Sequence, residues 1–315
     1  MKKKVLSALA AALILSTASS TTSAREIDDQ LTFDAETSYY FLHNGLAGRK
    51  NSNALELRLA PTVTLNDNLT LKSRLVGWWD LNDGDADFDS RLSYIYLEGD
   101  IGAYNIKAGR VQLATQADRN PVSGSMVAED AFKGVQVSTG LELDNGADAT
   151  FIVNAGKLHD PTYIGLEALY DSNENLTGGV GYHYLKKNSF KSNVFTLGAG
   201  YQVNEDWNLY GAYAHNSKAN FEKNAYNIEA AYLGADSEIP DTWGAFVAYR
   251  YLGTNVLDNN ENDMFNFARG LKGINVGGTW TPIENSLLKV SYMHGKRITG
   301  NDSTNIFLAR ASLFF

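Results

Sequence analysis

Along most of the chain apolar and polar residues alternate with a period of two, the spacing that sends successive side chains of an extended strand to opposite faces. Leu31, Phe33, Ala35, Thr37, Tyr39 and Phe41 share one phase, and Thr32, Asp34, Glu36, Ser38 and Tyr40 the other. Leu55, Leu57 and Leu59 then alternate with Glu56 and Arg58. After the turn Asn66-Asp67-Asn68, Leu69, Leu71, Leu75 and Trp79 alternate with Thr70, Lys72, Arg74 and Trp78. Two more strands follow over Phe88–Leu97 and Tyr104–Leu113, joined by a tight turn at Glu98–Ala103. The same pattern predicts eleven further strands: Phe132–Gly140, Ala149–Gly156, Tyr163–Tyr170, Leu176–Lys186, Asn193–Val203, Trp207–His215, Ala225–Leu233, Trp243–Tyr251, Lys272–Thr281, Leu287–Lys296 and Asn305–Phe315. That makes about sixteen, each near the length that crosses a bilayer as a tilted strand.

One apolar and one charged face, strand after strand, fits lipid on the outside of a closed wall and water within it. The expected fold is therefore all-β, a transmembrane antiparallel up-and-down barrel. Connections differ in kind. Asn204-Glu205-Asp206 and Ile283–Ser286 are short, whereas Gly253–Ala268 is long, acidic and rich in Asn. Asp80–Asp87, Ala114–Ala131 and Gly253–Ala268 are accordingly expected at one rim, with Asn66-Asp67-Asn68 and Asn204-Glu205-Asp206 at the other. Ala114–Ala131 interrupts the pattern with no apolar periodicity, and a connection of that length usually has a task. A soluble sandwich, the competing all-β reading, rarely holds this many such strands in one chain.

Composition adds a location. Lys2, Lys3 and Lys4, the apolar run Val5–Leu15 and the small polar stretch ending at Ala24 have the make-up of a secretory signal, with a mature start expected at Arg25 and one barrel domain over 25–315. The formal charge of the whole chain is −9, and removal of three lysines takes it from 27 − 36 to 24 − 36 = −12. So acidic a chain lacks the basic surface that nucleic acid requires. With no cysteine there are neither disulfides nor a lipid-anchored N-terminus, and 17 Tyr, 14 Phe and 28 Gly against 5 Pro suit a barrel with aromatic girdles.

Two stretches resemble the general bacterial porins. Ser90-Arg91-Leu92-Ser93-Tyr94-Ile95-Tyr96-Leu97-Glu98-Gly99-Asp100-Ile101-Gly102-Ala103-Tyr104, running into Lys107-Ala108-Gly109-Arg110, is similar to the strand-turn-strand before their constriction loop. Asn275-Val276-Gly277-Gly278-Thr279-Trp280-Thr281-Pro282 and the terminal Ser312-Leu313-Phe314-Phe315 resemble porin C-termini, and a terminal Phe on an amphipathic strand looks like the outer-membrane insertion signal. The resemblance implies a trimeric, sixteen-stranded pore in the bacterial outer membrane whose third loop folds inward. Ala114–Ala131 is then that loop, its acidic cluster mapping to Asp118, Glu129 and Asp130 and facing a wall where the family places an arginine at Arg91. The aromatic-rich motif of enterobacterial porin loops is absent from it.

The alternation puts Arg58, Lys72, Arg74 and Arg91 on the inward phase of the second, third and fourth strands, so the four cations form one patch of wall. Facing the loop acids, they would set a transverse field at the narrowest point, the device by which pores select ions. Lys107, Arg250 and Arg310 also fall on inward phases, and Arg110 on an outward one. The function expected is passive diffusion of small hydrophilic solutes and ions, with membrane lipid and two further copies as partners. The other classes weighed are a non-conducting structural or adhesive barrel and a barrel enzyme such as a phospholipase, for which His215-Asn216-Ser217 is the only hint. The Asp-rich tip at Asp80, Asn82, Asp83, Asp85, Asp87 and Asp89 lacks the EF-hand pattern, Gly84 standing at a ligand position and Arg91 where the bidentate glutamate belongs. Catalytic, cofactor and metal residues are expected to be none.

Overall fold

The structure is a computed structural model of the full chain; it describes residues 25–28, 30–45, 51–82, 87–113, 131–158, 160–187, 190–256, 261–262, 267–268, 270–300 and 302–315. Asp118, Glu129 and Asp130, with the rest of 114–130, lie outside the described residues, as do 1–24.

Sixteen antiparallel strands form the wall: β1 Leu31–Asn44, β2 Ser52–Asn66, β3 Leu69–Asp80, β4 Asp87–Ile101, β5 Tyr104–Gln112, β6 Ala131–Glu142, β7 Asp148–Lys157 and β8 Thr162–Asp171. The second half comprises β9 Leu176–Lys187, β10 Phe190–Gln202, β11 Trp207–Asn216, β12 Asn224–Leu233, β13 Trp243–Leu252, β14 Leu271–Trp280, β15 Ser286–Arg297 and β16 Ser303–Phe314. Each pairs with its neighbours in sequence, and β16 returns to pair with β1 over Ile306↔Asn44 to Phe314↔Glu36, so the sheet closes. Closure satisfies every strand edge, which an apolar solvent requires. The last residue takes part in the seal: Phe315 N donates to Ala35 O (2.8 Å) and Ala35 N to Phe315 O (3.1 Å). Every expected strand is present, most of them longer at the ends; the short strand Leu55–Leu59 grows to Ser52–Asn66 and runs through Pro61, opposite Phe33. Two short additions were not expected. Arg25–Asp28 folds back on the start of β1, and Glu261–Asn262 pairs with Phe267–Ala268 in the β13–β14 connection.

The two rims separate as expected. The strand ends joined by 81–86, 113–130 and 253–270 share one end of the barrel, and the turns at 67–68 and 203–206 share the other. Gly102 at the β4–β5 turn takes φ +62°, open to glycine without steric cost. One turn breaks the rule: the β12–β13 connection at the short-turn rim runs from Gly234 to Thr242.

The outer face has the layering of a bilayer. Near the short-turn rim Trp207, Tyr232 and Trp243 meet in sequence as tilted rings, with centroids 5.0 and 5.4 Å apart, and Trp280 pairs with Trp243. Near the other rim Tyr226 lies between Tyr249 and Tyr251 at 6.1 and 4.8 Å, with Tyr213 and Tyr292 in the same belt. Exposed Leu and Val fill the interval, among them Val180, Leu197, Val247 and Val276. From Trp243 to Tyr251 is about 26 Å of strand, or about 20 Å of height at a 40° tilt, leaving the belts to complete an apolar band of about 25 Å.

Candidate functional site

The inner face does not follow a single rule. Toward the short-turn end and mid-barrel it is charged, as the alternation predicts. Just beneath the long-loop rim it is apolar: Val111, Leu113, Phe132, Leu158, Tyr163, Leu185, Leu252, Leu271 and Met293 sit on inward phases and are all but inaccessible to solvent. Exposed side chains alternate with them on the same strands, as in Ile164 and Leu166 beside Tyr163, so this collar points into the barrel and not to lipid. The expectation of a uniformly polar interior is corrected here. Period-two reading separates two faces but does not reveal which part of the inner face is buried.

The charged wall is built by β16 and β1 to β5. Glu36 on β1 stands opposite Arg58 on β2, and Ser38 opposite Glu56. The seam brings Arg310 on β16 alongside, opposite Tyr40. Two guanidiniums and two carboxylates thereby form a square: Arg310 Nη2 reaches Glu36 at 2.7 Å and Glu56 at 3.1 Å, while Arg58 reaches Glu36 at 3.3 Å and Glu56 at 2.6 Å. Ser312 Oγ donates to Glu36 as well (2.9 Å). Side-chain exposure of these four ionic groups is 17 to 26%, enough to keep water at hand while raising the field above its bulk value.

Arg58, Lys72, Arg74 and Arg91 all take the inward phase, but they do not share one environment. Arg74 Nη2 donates to Ser93 Oγ (3.1 Å) and its guanidinium lies 4.8 Å from the Tyr94 ring centroid. Ser93 is the extra residue of a bulge, since Arg74 pairs with Tyr94 but Leu75 with Leu92, and the shift sets Tyr94 and Arg74 on the lumen side together. Lys72 bonds Glu98 at 2.7 Å, and Lys107 bonds the same carboxylate at 3.3 Å. Arg91, in the row of Val76 and Arg58, lies over the Trp78 ring at 5.6 Å and is exposed. Across the barrel Arg250 is buried against Glu229 (2.8 Å) and Phe246. Arg110 keeps the outward phase, paired with Ile95 and Lys133.

Sequence reasoning placed the cations on the inward phase but did not name the wall carboxylates beside them. Glu36, Glu56 and Glu98 lie on the same polar phases as Arg58 and Lys72, so the signal was present; the pairing of strands decides which charges meet. The opposite wall carries an amide ladder ending on a carboxyl group, Gln136 Nε2 donating to Asn154 Oδ1 (2.9 Å) and Asn154 Nδ2 to Glu167 Oε1 (3.4 Å). Tyr163 Oη bonds His183 Nδ1 (3.0 Å) above it. His215 and Ser217 do not meet through their polar groups: His215 Nδ1 bonds Asn224 Oδ1 (2.7 Å) on the outer face, and Ser217 Oγ donates to Asn193 O (3.4 Å). Among the described residues no three His, Cys, Asp or Glu side chains are placed to hold a metal ion.

At the long-loop rim one carboxylate ties three connections. Glu222, in the β11–β12 loop, accepts from Thr254 N (3.2 Å), from the Thr254 hydroxyl and from the Thr299 hydroxyl. Partial burial pushes this carboxyl up, but the hydrogen bonds outweigh it and hold the group below the ordinary glutamate value. No sequence pattern marks this residue.

No family model matches the sequence, and no curated protein matches it. Solved structures do match in fold. A triple mutant of the Rhodopseudomonas blastica porin superposes with TM-score 0.60 at 11% identity, covering 90% of this chain and all of that one. Pseudomonas putida OprB in its high-pH structure gives TM-score 0.65 at 12% identity, covering 92% and 95%. The closed sixteen-stranded barrel is thus a porin-like fold, carried on a sequence only 11 and 12% identical to theirs.

Proposed function

We propose that this porin-like barrel is a bacterial outer-membrane channel for passive diffusion of small hydrophilic solutes and ions. The observation that carries the reading is the contrast between its two faces: Trp, Tyr, Leu and Val outside, and inside a partly exposed square of Arg58, Arg310, Glu36 and Glu56 beside the Lys72–Glu98–Lys107 bridge. Charges held on the inside of a lipid-embedded wall need water, and a water-filled bore open at both rims is a pore. The neighbours in fold being porins supports the same reading, as does the outer-membrane character of such barrels.

In this proposal residues 1–24 direct secretion, 25–315 form the mature barrel, and three copies associate in the membrane. Arg58, Lys72, Arg74 and Arg91 supply the cationic side of the constriction, and Asp118, Glu129 and Asp130 the acidic side. The buried apolar collar supports an inward path for the third loop, because a wall of Phe132, Tyr163, Leu113 and Leu185 that lost its water must be covered from the lumen side. The collar also argues for a bore narrower than the strand number alone implies.

The test is single-channel recording in planar bilayers followed by reversal potentials under a salt gradient. Neutralising Arg58, Lys72, Arg74 and Arg91 shifts selectivity toward cations; replacing Asp118, Glu129 and Asp130 by amides shifts it the other way. Both shifts shrink at 1 M salt, where screening shortens to roughly 3 Å. A barrel that inserts and carries no current refutes the channel, and same-sign shifts in the two sets move the constriction elsewhere.

A further inference from the structure

The β12–β13 connection, Gly234 to Thr242, is the long one at a rim of short turns, and it is a built element. Asp236 N donates to Thr242 Oγ1 (2.9 Å), Glu238 N to Asp236 Oδ1 (2.9 Å), and the Thr242 hydroxyl to Ile239 O (2.7 Å). Leu233 and Asp241 take φ of 52° and 63° to fold its two ends. It is pinned outside itself as well. Asp241 N donates to Thr281 O (2.7 Å), Thr281 N to Thr242 O (2.9 Å), and Asn285 N to Ser237 O (2.7 Å). Phe314 N in turn donates to Asn285 O (2.9 Å), which links the turn to the β16 end of the seam.

Strands β14, β15 and β16 separate this turn from β1 along the wall, yet Ser237 and Glu238 line the same cavity of about 310 Å³ as Asp34, Glu36, Arg58 and Arg74. The turn therefore reaches across the mouth and forms a shelf under the charged wall. The charges in the cavity do not cancel in pairs. Arg58 and Glu36 satisfy one another (3.3 Å). Arg74 has no carboxylate at ion-pair distance among the described residues, only the Ser93 hydroxyl and the Tyr94 ring. Asp34 and Glu238 line the same cavity and likewise have no cation at ion-pair distance among the described residues.

We infer that this cavity is a retention site for a small zwitterion of the amino-acid class, its carboxylate on Arg74 and its ammonium against Glu238 and Asp34. Among the described residues, a simple anion would meet two carboxylates without an ion-pair partner and a simple cation would meet a guanidinium without one. A molecule bearing both charges a few ångströms apart meets an opposite charge at each end. The guanidinium fork is suited to a carboxylate, the Tyr94 ring already holds it in place, and the volume lies at the small end of ligand cavities. Glu238 is the specificity-determining residue, since it comes from the shelf and not from the barrel wall. The inference rests on the diffusion-channel reading for its role in transport, but the site itself does not depend on conduction.

The experiment uses the mature barrel in detergent micelles and in planar bilayers, with β-alanine as zwitterion and acetate and methylammonium as its two halves. Saturation-transfer NMR on the micelles gives a saturable signal for β-alanine and at least tenfold weaker ones for acetate and methylammonium. Glu238→Gln weakens the β-alanine signal at least tenfold, and so does Arg74→Gln; if Arg74→Gln does not fold, Arg74→Lys, which keeps charge but loses the fork, gives a several-fold loss. In bilayers β-alanine adds concentration-dependent block to the current, and Glu238→Gln removes it. Acetate binding as well as β-alanine, or Glu238→Gln binding like the parent, overturns the inference. Current without β-alanine binding overturns the site and leaves the channel standing; binding in a barrel that carries no current supports the site and refutes the channel.

Discussion

Replacing Arg310 by Met tests how the barrel is sealed. The side chain belongs to the last strand, and its guanidinium holds Glu36 on β1 at 2.7 Å and Glu56 on β2 at 3.1 Å. Loss of the charge leaves two carboxylates, 17 and 24% exposed, with Arg58 as their remaining ion-pair partner among the described residues. Each contact at this range is worth about 4 kcal/mol gross at an effective dielectric of 20. Water at the wall and relaxation of the acids cancel much of that, so a net loss of about 1–3 kcal/mol is expected, as for a partly buried hydrogen-bonded charge left unpaired. Met keeps the apolar stem and the wall packing, which separates charge from volume. Unfolding in urea with the barrel in lipid vesicles, followed by tryptophan emission and by gel mobility of unheated samples, gives the difference. A double-mutant cycle with Glu36→Gln isolates the pair: a coupling of about 1 kcal/mol or more is expected, because the groups touch. A coupling below about 0.3 kcal/mol, with Arg310→Met as stable as the parent, would refute the claim that this square fastens β16 to β1.

Two further outcomes follow from the rims and the terminus. The carboxyl of Glu222 is held low by Thr254 and Thr299, so its contribution is present above the ordinary glutamate value and lost as pH falls through its folded value; the protection of the Thr254 and Asn255 amides, referred to the intrinsic exchange rate at each pH, should fall on acidification, and in Glu222→Gln it should be reduced already at neutral pH and show no such acid transition. Deleting Phe315 removes both backbone bonds to Ala35, so the variant should reach the periplasm yet accumulate unfolded, with normal levels of heat-modifiable barrel in outer-membrane fractions counting against it.

Much of this molecule is written in local alternation. A period of two over some ten residues, repeated between turn signals, needs no tertiary information to specify a strand, an inward phase and an outward phase, and Arg58, Lys72, Arg74 and Arg91 all take the phase it assigns. The even count and the division of rims follow from antiparallel neighbours joined in order. What alternation does not carry is which strand lies beside which across the closure, or what fills the bore. Arg310 meets Glu36 only because the sheet rolls far enough for β16 to meet β1, a contact across 274 residues set by strand number and stagger. The bulge at Ser93 that sets Arg74 against Tyr94, the apolar collar beneath the long-loop rim, and the shelf that carries Glu238 under the charged wall were likewise settled in three dimensions. The collar and the shelf depend on backbone distant in sequence, and the bulge on a register shift between neighbouring strands that local periodicity leaves unspecified, so each is decided by packing and not by the alternation of residues.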